Sequence, residues 1–245
     1  MMTTDKNLAR LSGVFYLIVA LTGGFSELVV RDSLIEAGNA AATADNIATS
    51  AGLFRIAFAT DLVNITFFGL AALALYALFR TIDHQIAMAM VVFNADAAAI
   101  MSVNMINHFA ALRLASSAEE SDALVMLFAD MHSSGYAIAQ IFFGLWLLPL
   151  GCLVYKSGFL PRALGVALMV GAFAYLTELL AGFLFPDLGE GLLLAVAMPA
   201  ALAEVSLITW LLTKGIKTSP HLRPAPIATQ TDGSTRAGQA VRDAR

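Results

Sequence analysis

Apolar residues fill six long segments of the chain, and polar residues gather between them. Each segment reaches about the 20 residues that a helix needs to cross the hydrocarbon core of a bilayer. The segments lie near Leu11–Val30, Phe54–Phe79, Ile86–Leu112, Tyr136–Tyr155, Ala163–Phe185 and Gly191–Leu212. The runs are continuous, whereas the strands of a membrane barrel alternate over about 10 residues. The pattern therefore predicts an all-α, polytopic six-helix bundle that forms one domain over residues 1–217.

The connections contain two further helix signals, and a long polar tail follows the last segment. Ala40–Ser50 is rich in alanine and has Thr43 as a candidate N-cap, while Ser121–His132 has capping residues ahead of apolar ones. The second signal also fits an early part of the fourth span, bent at Ser133–Gly135. Residues 218–245 are polar, basic and proline-containing, which predicts a disordered tail.

Composition supports the membrane interpretation and excludes three other classes. Hydrophobic residues make up 59 % of the 245 residues and charged residues 13 %, about half the charged share of a typical soluble domain. An ordinary soluble enzyme, a nucleic-acid-binding protein and a disordered chain are therefore excluded. The single cysteine, Cys152, allows neither an intramolecular disulfide nor a cysteine-based metal site.

The distribution of lysine and arginine predicts how the helices cross the bilayer. Eleven of the 14 basic residues lie on the same side as the N-terminus, and Arg31, Arg55 and Arg113 lie on the other. Because cytoplasmic loops carry the excess of basic residues, both termini are predicted to be cytoplasmic. The two short helices then belong to extracytoplasmic loops, which are also the acidic ones.

Ionisable and amide side chains within the spans predict a polar interior, since an ionisable group at mid-bilayer costs about 2.5–3.5 kcal/mol. The candidates for a polar core or ion pathway are Asp61, Asn64, Asp96, Asn104, Asn107, Glu178 and Glu204. Arg55 is the one basic residue expected at comparable depth. Buried acids without a cationic partner take up a proton or bind a cation. The alternative is that these groups only join the helices through hydrogen bonds.

A second polar group is expected toward the extracytoplasmic face, as an outer mouth. Its candidates are Glu27, Arg55, His108, Asp130 and His132. Histidines with carboxylates bind zinc or act as acid and base. No His-x-x-x-His or Glu-x-x-His pair occurs, however, so neither a metal ion nor a catalytic residue is assigned. No Walker loop, dinucleotide fingerprint or Gly-x-Ser-x-Gly elbow occurs either, and no cofactor is predicted.

Four blocks of the chain resemble one family. They are GNAAATADNI from Gly38 with the following Leu53-Phe54-Arg55 and Asp61, FGLWLLPLGCLVYKSGFLPRALG from Phe143, Glu204 with WLLTKG from Trp210, and GVFYL from Gly13. Over about residues 8–216 the chain resembles domain-of-unknown-function family 4386, with Asn39 where the family usually has an acid. The resemblance implies a six-span integral membrane fold and a bacterial inner-membrane location, and it supplies no reaction.

Three functional hypotheses follow. The leading one is a membrane protein that handles a small solute or ion through its acidic interior, with a proton link as one option and Arg55 holding an anionic group. The alternatives are an intramembrane enzyme that acts on lipid and a structural or sensory subunit without substrate. A cavity reaching Asp96 favours the first, and His108 and His132 converging on a carboxylate favours the second. A closed, dry bundle favours the third. The expected partners are the lipid bilayer and a small solute or cation, with no nucleic acid and with self-association left open.

Overall fold

The computed structural model describes residues 2–117, 121–185 and 190–216. All regular structure within these ranges is helical, and six helices are long and apolar enough to cross a membrane. The predicted all-α, six-span fold is thereby confirmed. The polar tail predicted over residues 218–245 lies outside the described residues, and the cytoplasmic placement of both termini stays a prediction.

The first helix, α1, changes its winding near its C-terminal end. It is α-helical over Met2–Gly24, π-helical over Phe25–Arg31 and α-helical again over Asp32–Leu34. A short helix follows and then five long ones: α2 (Ala40–Thr49), α3 (Ala51–Phe79), α4 (His84–Ala115), α5 (Asp122–Ser157), α6 (Arg162–Leu184) and α7 (Glu190–Thr213). The six candidate spans are α1 and α3–α7.

The short helix α2 forms as predicted, with a different cap. Asn39 Oδ1 accepts a hydrogen bond of 3.2 Å from the Ala42 amide, while Thr43 is buried inside the helix and donates to the Glu36 carbonyl. Thr43 as N-cap was therefore wrong. The physical reason is that asparagine caps a helix at least as well as threonine does, and Asn39 stands directly before the first helical residue.

The second helix signal, over residues 121–132, is the first part of α5, which continues without interruption to Ser157. The start of the fourth span therefore lies well before the expected Tyr136. Gly135 keeps this part of α5 close to α4, because a Cβ at Gly135 would overlap the Asn104 side chain. The His132 region is thus held inside the bundle.

The six long helices form a closed ring. Each of α3–α7 packs against the next, α1 packs against α3, and α7 returns to α1. Glycines allow a close approach between α5 and α6, where a Cβ at Gly151 would lie 2.7 Å from the Gly165 carbonyl oxygen. Large apolar side chains such as Phe183 are exposed on the outside, which suits contact with lipid.

Inward positions recur every three or four residues on each helix. On α3 they are Phe54, Ala57, Asp61, Asn64, Phe68, Ala71, Ala72, Ala74, Leu75, Leu78 and Phe79. Most are apolar and join the core, but Asp61 and Asn64 occupy the same stripe. The helix periodicity therefore turns these polar groups toward the interior.

Candidate functional site

The π-helical end of α1 supplies the cation of the site. Hydrogen bonds from residue i to i+5 insert an extra residue into the turn, and such segments are frequent at functional sites. Ser26 and Arg31, five residues apart, are both buried in this segment. The π turn thus presents Arg31 to the bundle instead of leaving it in a loop.

Arg31 is shared by two carboxylates. Its Nη1 donates to Glu27 Oε2 at 2.6 Å, and its Nη2 donates to Asp61 Oδ2 on α3. The side chains of Arg31 and Asp61 are only 6 % and 9 % exposed, whereas that of Glu27 is 36 % exposed. The three charges leave one net negative charge at the site.

Two buried histidines complete the cluster, and each bonds a main-chain carbonyl. His108 Nε2 lies 3.0 Å from the Phe54 carbonyl oxygen, and its ring stacks on Phe54 at 3.9 Å between centroids. The His108 Nδ1 atom lies 3.4 Å from Arg31 Nη2. Only a ring N–H can donate to a carbonyl, so His108 is protonated on Nε2 and its Nδ1 is an acceptor.

His132 is held in the same way by α4. Its Nδ1 lies 3.4 Å from the Asn104 carbonyl oxygen, and Asn104 Nδ2 donates to the His132 carbonyl at 2.8 Å. Asn107 supports this exchange by donating to Asn104 Oδ1. The centroids of the His108 and His132 rings are 5.6 Å apart, so the two histidines belong to one site.

A small cavity with room for about one water molecule lies at this level of the bundle. It is lined by Arg31, Asp61, Met101, Asn104, Met105, His132 and Tyr136. Asp61, His108 and His132 each offer one ligand atom, and these atoms lie within 4.8 Å of one another. Arg31 Nε is buried and has no hydrogen-bond partner among the described residues. We call Glu27, Arg31, Asp61, His108 and His132 the Arg31 site.

A second, partly buried polar cluster lies between α1, α6 and α7. Glu204 Oε2 accepts a hydrogen bond of 2.5 Å from the Tyr16 hydroxyl, and Glu204 Oε1 accepts one of 2.7 Å from the Tyr175 hydroxyl. We call these three residues the Glu204 cluster. Elsewhere, Gln140 donates to the half-buried Glu178 at 2.8 Å. Neither Glu178 nor Glu204 lines the cavity of the Arg31 site.

The structure redistributes the two predicted groups of site residues. Asp61 and Asn104, expected in the polar interior, meet His108, His132 and Glu27, which were expected at the outer mouth. Asn64 instead donates to the Val19 carbonyl and so joins α3 to α1. The cavity does not reach Asp96, which is half-buried outside its lining, so the arrangement expected to favour solute handling is not observed. Arg55 and Asp130 are exposed.

Arg31 is the residue that sequence reasoning missed. The apolar run ends at Val30, which assigns Arg31 to the loop and leaves Arg55 as the one basic residue expected at the depth of the acids. That expectation was wrong, because α1 continues to Leu34 and the exposed Arg55 forms none of the described ion pairs. The available signal was Glu27, which stands four residues before Arg31 as a helical ion pair does.

The fold and the site together define a membrane-spanning six-helix bundle with a buried, charge-paired polar centre. The chain belongs to the family described as a domain of unknown function (DUF4386), whose model matches residues 11–215. It is also similar to an uncharacterized protein of Archaeoglobus fulgidus, with 31 % identity over 150 residues that cover 60 % of this chain and 76 % of the relative. No solved structure matches the chain.

Proposed function

We propose that this membrane protein binds and handles a small solute or ion at the Arg31 site. The observation that supports it most directly is the cavity among apolar helices, lined by the paired Arg31 and Asp61 and by His132. Ionisable groups within membrane helices are expensive and commonly mark substrate or ion pathways. Helix packing alone would not need a cation, two acids and two histidines at one level.

The charges at the site favour a cation or a proton as the ligand. Glu27 and Asp61 exceed the single charge of Arg31, and His108 and His132 accept through nitrogen lone pairs when neutral. An anion would have to compete with two carboxylates for the guanidinium. Ligand binding would be coupled to protonation, since a proton on Asp61 or on a histidine changes the charge that the ligand meets.

The proposal also covers the membrane in which the protein lies, its topology and its partners. The exposed apolar side chains suit a lipid bilayer, and the excess of basic residues beside the N-terminus favours cytoplasmic termini in a bacterial inner membrane. Neither a nucleic acid nor a resident cofactor is part of the proposal. Self-association through an exposed apolar face is compatible with it.

The second candidate function is an intramembrane enzyme that acts on lipid. The convergence of His108 and His132 on the Asp61 carboxylate favours it. Two histidines and a carboxylate are a ligand set that in other proteins leaves a metal position open for an activated water molecule. For such an enzyme, the lipid substrate needs to reach the site from one side of the bundle only.

Accessibility of the cavity from each side of the membrane tests both functions. In a Cys152→Ala background, Met101→Cys and Met105→Cys place thiols on the cavity lining. Leu147→Cys is the matched control, because Leu147 is fully buried in the core away from the cavity. Impermeant thiol reagents are applied to sealed vesicles of either orientation.

Labelling of the cavity thiols from both sides is expected for solute or ion handling, because the ligand must enter and leave by opposite faces. Labelling from one side only favours the enzyme. If the cavity thiols are as unreactive as Leu147→Cys from both sides, the bundle is closed, and a structural or sensory subunit replaces both proposals.

A further inference from the structure

Three of the buried groups at the Arg31 site have the chemistry of a metal-binding set. We infer that Asp61, His108 and His132 bind a divalent transition-metal ion such as Zn²⁺, and that Arg31 occupies the metal's position until the ion arrives. The inference deepens the proposed function, since it names the class of cation that the site takes. Within the described residues these three form the one group of histidines, cysteines and acids close enough to hold an ion.

The hydrogen bonds of the histidines support this assignment. Histidine ligands almost always donate their second ring N–H to a carbonyl or carboxylate, which fixes the tautomer. His108 meets the Phe54 carbonyl through Nε2, and His132 meets the Asn104 carbonyl through Nδ1. Each imidazole therefore keeps one nitrogen lone pair for a metal, and imidazole suits Zn²⁺, Cu²⁺, Fe²⁺ and Ni²⁺.

The guanidinium of Arg31 stands among these ligands. Its Nη2 contacts both Asp61 Oδ2 and His108 Nδ1, which are groups that the metal would use. Ligand atoms bound at about 2.1 Å from one zinc ion lie about 3.4–4.2 Å apart, and the three atoms here lie within 4.8 Å of one another. A metal ion bound to them would take the place of Nη2, so arginine and metal exclude each other.

Glu27 offers Arg31 an alternative position. It binds Nη1 at 2.6 Å from one turn earlier in α1 and is the most exposed member of the site. Within the part of the chain that the structure describes, Arg31 Nε has no hydrogen-bond partner, so the present position does not satisfy the guanidinium fully. Arg31 is thus a tethered cation that competes with the metal and remains paired with Glu27 when displaced.

Metal binding to the purified full-length protein tests the inference, with Zn²⁺ measured by equilibrium dialysis and Co²⁺ by its optical spectrum. We expect one ion per chain, and a loss of affinity of about 100-fold or more for His108→Ala, His132→Ala or Asp61→Asn. His84→Ala is the matched control, because His84 is exposed and remote from the set. Absence of binding, or an equal loss in His84→Ala, would overturn the metal site.

Removal of the Arg31 guanidinium tests directly whether it competes with the metal ion. Arg31→Met is expected to bind Zn²⁺ about tenfold more tightly than the parent, since a coupling of this kind is typically 5–150-fold. Glu27→Gln combined with Arg31→Met leaves one fewer unpaired acid and provides a second variant if the single one does not fold. Unchanged or weaker binding in the folded variant would overturn the role of Arg31.

The metal inference and the proposed function fail in different ways. If the cavity thiols are labelled from both sides but Zn²⁺ does not bind, handling of another solute stands and the metal inference falls. If Zn²⁺ binds through the three ligands while the thiols stay unlabelled from both sides, the metal site stands. The ion is then structural, and the proposed handling falls.

Discussion

The Arg31 site and the Glu204 cluster each hold a carboxylate inside the bundle, and they do so in different ways. At the Arg31 site, Asp61 is neutralised by a guanidinium that it shares with Glu27. Glu204 accepts hydrogen bonds from two tyrosine hydroxyls and takes part in none of the ion pairs among the described residues. The first carboxylate depends on a charge, and the second depends on neutral donors.

The difference indicates which of the two can exchange a ligand. A cation beside a cavity can be replaced by another cation, because both satisfy the same acceptors. Glu204 lies in an aromatic setting, where Tyr16 packs edge-on against Trp146 at 5.5 Å and Tyr175 lies 6.3 Å from Phe143. The Glu204 carboxylate, which accepts hydrogen bonds from two tyrosine hydroxyls, joins α1, α6 and α7.

Removal of the Asp61 charge should give the largest effect on stability. Asp61→Asn leaves Arg31 buried with only the more exposed Glu27, and breaking a buried ion pair costs about 3–5 kcal/mol. Chemical unfolding in detergent measures the loss. Asp96→Asn is the matched control, because Asp96 is half-buried and outside the described ion pairs. Equal losses in the two variants would show that the Arg31–Asp61 pair contributes no more to stability than the Asp96 carboxylate does.

Disturbing the close packing beside His132 should have the second largest effect on stability. A Cβ at Gly135 would overlap Asn104, whose amide holds His132. Overpacking of this kind costs about 1–3 kcal/mol, so Gly135→Ala should lower the free energy of unfolding by that amount. At Gly69 a Cβ would meet nothing within 4 Å, and Gly69→Ala should be neutral or slightly stabilising. The same loss in both would mean that close packing at the Arg31 site is unimportant.

A smaller loss of stability is expected when the Glu204 cluster is changed. Glu204→Gln keeps one carbonyl oxygen for a tyrosine hydroxyl and offers N–H donors to the other tyrosine oxygen, so it should cost about 1 kcal/mol. Thermal unfolding of Glu204→Gln beside Glu178→Gln measures the difference. A loss as large as that of Asp61→Asn would remove the contrast between the clusters, because it would mean that the charge of Glu204 is needed.

The exposed ion pair of Asp83 and Lys156 should give the smallest effect. The hydrogen bond from Lys156 Nζ to Asp83 Oδ2, at 3.0 Å, holds the pKa of Asp83 below its usual value. A carboxyl with a lowered pKa in the folded state stabilises it at neutral pH, and this stability is lost as the pH falls below about 4. Asp83→Asn should therefore reduce the acid sensitivity of unfolding slightly, and more so at low salt. An acid sensitivity equal to the parent's would show that the pair contributes nothing.

The helices could be predicted from the sequence more completely than the faces that they bury. Their length and apolar composition predicted all six, since no other structure satisfies the backbone in lipid. The buried stripes were harder to find, because outward positions such as Val103 and Phe183 are as apolar as the core. Hydrophobicity therefore did not separate inward from outward positions, and polar residues were the better guide. Asp61, His108 and His132 all occupy inward positions.

The grouping of the polar residues could not be predicted, because it depends on which helices are neighbours. His108 and His132 are 24 positions apart on α4 and α5, and Asp61 reaches them only because α3 packs against α4. Arg31 required the π turn that carries α1 past the end of its apolar run. Apart from the i,i+4 spacing of Glu27 and Arg31, no local pattern predicts these contacts.

The sequence by itself determined the class of the protein, the number of its spans and the presence of expensive polar residues inside them. These are properties of composition and spacing, and lipid imposes them on each helix separately. Only the tertiary structure decided which acid meets a cation. The closed ring brings α1 and α3–α5 together at the level of Arg31, whereas Glu204, on α7, meets only tyrosine hydroxyls. The ligand chemistry proposed for the Arg31 site depends on that packing.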